Sequence, residues 1–150
     1  MALISTLTAL LVAVVNGGAA AWAGWRWYTV APDRLSWVLV RTGQGGAVLL
    51  ALVAGVAFVS GARPDDGLFW LYALLPAVIG FFAEQFRLIS AQTVLDARGL
   101  PDAQAMAGLP DAEQRSIVLQ IVRRELGVMV VAAAVVAFLA LRAAGQTGGL

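Results

Sequence analysis

Arg41, Gln44, Glu84, Arg87, Arg123, Arg124 and Glu125 are the side chains whose types and spacing could do chemistry. A guanidinium holds phosphate or carboxylate through two parallel hydrogen bonds, and a carboxylate beside it can orient it or act as a base. On helices, Glu84 has Arg87 one turn away and Arg41 has Gln44 one turn away, so Glu84 can pair with Arg41 or Arg87, and Glu125 with a neighbouring helix. One outcome is a satisfied polar ring that sets helix register. The other is an anion or lipid-headgroup site, in which Arg41, Arg123 and Arg124 grip phosphate or carboxylate and Glu84 orients them.

A second candidate site is Asn16, followed by Gly17-Gly18, together with Pro76. An amide in hydrocarbon needs a partner, and Pro76 frees the carbonyl of Tyr72 four residues earlier. The two can satisfy one another only if their helices are neighbours. Transporters place substrate sites at interrupted helices near the bilayer midplane, so this pair carries the transport reading. Gly43, Ala47, Ala51 and Gly55 recur every four residues as a small-residue packing stripe, with Ala9, Ala13, Gly17 and Ala21 as a parallel one, either against each other or against a partner.

The elements that must hold these residues follow from hydropathy. With 61% hydrophobic and 13% charged residues and a mean hydropathy of +0.84, the chain lies well outside soluble norms. About 20 apolar residues cross a bilayer core, and four stretches meet that length, the middle two with help from their flanks. We expect an all-α integral membrane four-helix bundle, one domain over 1–150, with spans at about 3–25, 36–60, 67–85 and 117–142. Apolar runs such as Val128 to Ala140 do not alternate as barrel strands do. Ala19-Ala20-Ala21 resembles a signal cleavage site, but no positive charge precedes the run, so the first helix is expected to remain.

Between the third and fourth spans, about 86–116 reads as a short cytoplasmic helical hairpin, too short to bury a core of its own. Gly99 and Pro101 stop one helix, and Asp111 with Gln114 is a capping pair for the next, from about Ala112. Gly-Leu-Pro-Asp-Ala occurs at 99–103 and again at 108–112 as two turn signals. Arg98, Arg115, Asp96 and Glu113 are expected to face water or a partner.

All ten basic residues are arginine, and eight lie in or beside the first and third connections. The positive-inside rule then puts loops 1–2 and 3–4 in the cytoplasm and both termini outside. The Arg, Ala, Gly and Val usage suggests a GC-rich bacterial genome, hence a cell inner membrane. Trp22, Trp25, Trp27, Tyr28 and Trp37 form an aromatic belt at the inner interface, or else Trp25 and Trp27 wall a lipid or quinone groove between helices one and two.

Without His or Cys there is no zinc site, His-ligated haem, thiol redox centre or His-based triad, and no cofactor is expected. Thr42 to Gly46 lacks the lysine of a phosphate loop. Nine acids balance the ten arginines, which argues against a nucleic-acid partner and leaves membrane lipids and a homo-oligomer or larger membrane complex. The leading expectation is a noncatalytic subunit or assembly partner. The alternatives are a small homo-oligomeric transporter or channel, and a lipid-headgroup-binding membrane enzyme with Glu84 or Glu125 as base.

Overall fold

The computed structural model describes all residues 1–150. Four helices, α1 (Ala2–Tyr28), α2 (Arg34–Val59), α3 (Leu68–Ala97) and α4 (Asp111–Ala144), are each long and apolar enough to cross a membrane. They pack in the cyclic order α1, α2, α3, α4, with α2 and α4 the closer diagonal pair. The termini and the loop after α2 meet at one end, where Thr6 Oγ1 lies 2.7 Å from Thr147 Oγ1 and Asp65 donates its backbone N–H to Gly148 O at 2.8 Å.

The buried positions follow alternating steps of four and three. They are Ser5, Ala9, Val12, Asn16, Ala19 and Ala23 on α1, and Ser36, Val40, Gly43, Ala47, Leu50, Ala54 and Ala57 on α2. On α4 they include Leu126, Met129, Ala133, Val136, Ala140 and Ala143. A mean step of 3.5 keeps the seam facing its neighbours in a left-handed bundle. Alanine supplies half of the buried hydrophobic positions, beside larger ones such as Leu50, Phe69, Leu126 and Met129, whereas Leu3, Val14, Leu52, Phe58, Val59, Phe81 and Phe138 are exposed. So many small residues inside and so many large apolar ones outside suit a bundle surrounded by hydrocarbon, where burying large side chains brings no hydrophobic gain and close backbone approach helps to hold the helices.

The stripe read at intervals of four follows this seam for two members only. Gly43 and Ala47 are buried, Ala51 is half-buried and Gly55 is exposed with open space around it. Each step of four overshoots a full turn by about 40°, so the face rotates outward.

Helix ends are set locally. The backbone N–H of Ala31, Ala62 and Leu100 bonds back to Arg26, Ala57 and Leu95 respectively, closing α1, α2 and α3 with a residue at positive φ in between. Glycine takes that position at Gly61 and Gly99, but after α1 it is Val30, at φ 55°. The hairpin beyond α3 contains a 3₁₀ turn, Gln104–Gly108, and does bury a small cluster: Val94, Leu95 and Ile117, with Met106 and Ile121 against it. Asp111 is not the cap of α4. Pro110 holds that position and its carbonyl takes the N–H groups of Glu113 and Gln114, while the Gln114 amide reaches Leu109 O at 2.8 Å. Proline with extended ψ ends the preceding turn and places Asp111 inside the helix, where its charge still faces the positive end of the dipole.

Candidate functional site, a polar layer across the bundle

Five of the seven polar candidates meet in one layer across α2, α3 and α4. Arg41 Nη1 donates to Glu84 Oε1 at 2.6 Å and to Gln44 Oε1 at 3.1 Å, and Gln44 Nε2 donates to Glu84 Oε1 at 2.9 Å. On the other side, Arg87 Nε donates to Glu84 Oε2 at 3.2 Å and Arg87 Nη1 to Glu125 Oε2 at 3.3 Å. Glu84 is the hub, with both oxygens accepting. Two guanidiniums against two carboxylates leave the layer electrically neutral.

Burial grades across it, from Arg41 at 50% side-chain exposure to Glu125 at 14%. Glu84 is sixteen residues from the start of α3 at Leu68, Arg41 eighteen from the end of α2 at Val59 and Glu125 nineteen from the end of α4 at Ala144, so the layer stands about 24–28 Å from the opposite end of the bundle. That is most of a hydrocarbon thickness of about 30 Å, which puts the layer at one edge of the apolar zone rather than at its middle.

Arg123 and Arg124 lie outside this network. The Arg123 guanidinium sits 5.6 Å from the centroid of the Trp27 ring, and neither arginine makes an ion pair. The anion grip of Arg41, Arg123 and Arg124 oriented by Glu84 is therefore not assembled: Arg41 is committed to the α2–α3 side, and Arg123 to Trp27 of α1.

Asn16 and Pro76 stand on helices at opposite corners. The Asn16 amide donates to Val12 O at 2.9 Å and to Gly43 O at 3.1 Å, tying α1 to α2 instead of answering Tyr72. Both residues, with Gln44 and Gly80, line a central cavity of about 10 Å³ just beneath the polar layer. That is about the space of one water, with amide groups on its wall.

The structure adds residues that the sequence reading passed over. Asp33 accepts from the backbone N–H of Ser36 at 2.8 Å and from its hydroxyl, and so caps α2. Those two bonds to Ser36 hold the Asp33 carboxyl below its ordinary pKa, with a smaller contribution from Arg26, whose Nε lies 3.2 Å away. Pro-Asp-Arg-Leu-Ser carries the signal for this cap, since an Asp before the first helical turn is a preferred N-cap. A groove of about 580 Å³ runs along α4, lined by Ile79, Phe82, Ala83 and Phe86 of α3 and by Trp27. It lies on the α3–α4 side, not between helices one and two, and Trp25 is exposed beside Tyr28 instead. Its geometry depends on contacts between distant parts of the chain, and no local pattern announces it.

Compared with protein families, with characterised proteins and with solved structures, the chain gives no match.

Proposed function

We propose that this chain is a noncatalytic multi-pass membrane subunit, a rigid four-helix element that docks other membrane components. The observation that carries this reading is the closed polar layer. Arg41, Gln44, Glu84, Arg87 and Glu125 are all spent on one another, so the groups best suited to catalysis or ion passage serve instead to lock three helices in register. A central cavity of about 10 Å³ has room for a bound water and not for a substrate. The large outward side chains leave apolar faces on the helices for lipids and neighbouring subunits. The membrane is a bacterial inner membrane, with loops 1–2 and 3–4 on the cytoplasmic side, as the arginine distribution supports.

Purification from the native host in mild detergent, with the mass of the intact assembly, tests this. The expected result is a second membrane polypeptide at fixed stoichiometry. A lone homo-oligomer that conducts ions in liposomes, and loses that flux on Asn16→Leu without losing thermal stability, would overturn the proposal in favour of transport.

A further inference from the structure

We infer that the groove on α4 is a site for one anionic phospholipid, with its acyl chain against α3 and α4 and its phosphate at Arg123; this rests on the bundle spanning a bilayer. Phe82 and Phe86 of α3 and Val131 and Val135 of α4 line it, and Trp27 joins them from α1, beside Gly127 at the end next to the polar layer. The indole is seated there because Gly127 has no side chain: a Cβ at that position would lie 2.9 Å from Trp27 Nε1. From Gly127 to Val135 the groove extends for about 12 Å along the helix, parallel to the direction an acyl chain takes in a leaflet.

The chemistry of the two ends differs. Along its length the groove offers almost only hydrocarbon. At the Trp27 end, the Arg123 guanidinium stacks 5.6 Å from the ring centroid, one turn beyond Gly127 and further from the apolar zone than Glu125. Unlike Arg41 and Arg87, it has no carboxylate partner, and its neighbour Arg124 is exposed and equally unpaired. An apolar slot that ends at headgroup depth in the unpaired Arg123 guanidinium is complementary to a chain carrying a negative head. A neutral lipid or a bare hydrophobic helix would leave that charge unanswered.

The test uses the full chain in phosphatidylcholine vesicles, with brominated-acyl phosphatidylglycerol or brominated-acyl phosphatidylcholine as tryptophan quencher. The Trp27 contribution is the difference between the parent chain and Trp27→Phe. Phosphatidylglycerol should quench it at about one-fifth the mole fraction needed with phosphatidylcholine, the effect of one basic side chain at an anionic surface. Arg123→Gln should abolish that preference, and Arg123→Lys should retain it, which separates loss of charge from loss of fold. Equal quenching by the two lipids, or a preference unchanged in Arg123→Gln, would overturn the site. Reversal of quenching by inorganic phosphate would make it a free-anion site and overturn the lipid assignment. Release of the chain from native membranes by alkaline carbonate would remove the membrane reading and this site with it, whereas retention with equal quenching removes the site alone.

Discussion

At the scale of single residues, the loop between α1 and α2 sets a strained position against a strong cap. Val30 holds φ 55°, a conformation that costs a side chain roughly 1–2 kcal/mol, and its β-branch makes the crowding worse. Glycine there gives back roughly 0.5–1 kcal/mol through unfolded-chain entropy, so Val30→Gly should stabilise the bundle by roughly 0.5–1 kcal/mol in reversible thermal or denaturant unfolding. The next anchor is Asp33, whose carboxyl is depressed by its bonds to Ser36. A depressed carboxyl contributes its stability above the ordinary value of 3.8, and loses it as pH falls through the lower folded value. The parent should therefore lose stability relative to Asp33→Asn as pH falls below about 3.8, and the two should run parallel from pH 5 to 8. A constant difference down to pH 2 would show that the ionised cap is not what holds this loop.

Helices are the scale at which reading and structure part company. The four apolar stretches were legible because 20 residues of hydrocarbon side chains have few other uses, and the polar layer was legible because its members share one depth. The pairs of Glu84 with Arg41 and Arg87 were legible from their spacing, and both form; which of the remaining groups meet was not, since that depends on the cyclic order of the helices: Asn16 and Pro76 fall at opposite corners, and Arg123 turns to Trp27. The stripe of small residues coincides with the buried seam only at Gly43 and Ala47, as steps of four drift off a face that steps of 3.5 follow. Substitution separates the two. A Cβ at Gly43 would stand 2.5 Å from Asn16 Oδ1 and 2.9 Å from its Cγ, whereas one at Gly55 meets open space. Gly43→Ala should cost about 1–3 kcal/mol as an overpacked seam, and Gly55→Ala should be neutral or slightly stabilising. Equal effects at both positions, by thermal unfolding in the same detergent, would mean that the seam is not where the structure puts it.

For the whole molecule, orientation is the property with the most direct measurement, because the chain has no cysteine to obscure a label. The eight arginines around the first and third connections predict that Asp66→Cys is labelled by an impermeant maleimide from outside the cell and Ala105→Cys only after lysis; the reverse pattern would invert the topology. The neutral Arg–Glu layer bears on this as well. Standing about 24–28 Å from the opposite end of the bundle, it marks how much greasy length the protein can present before charged groups must enter oil. A bilayer of that depth accepts the bundle upright. A thicker one must thin around it or draw the layer inward, at a cost that rises with each ångström of mismatch. In a bilayer, the same five side chains that lock the helices together would set how thick a membrane the bundle can span with that layer still at the water's edge.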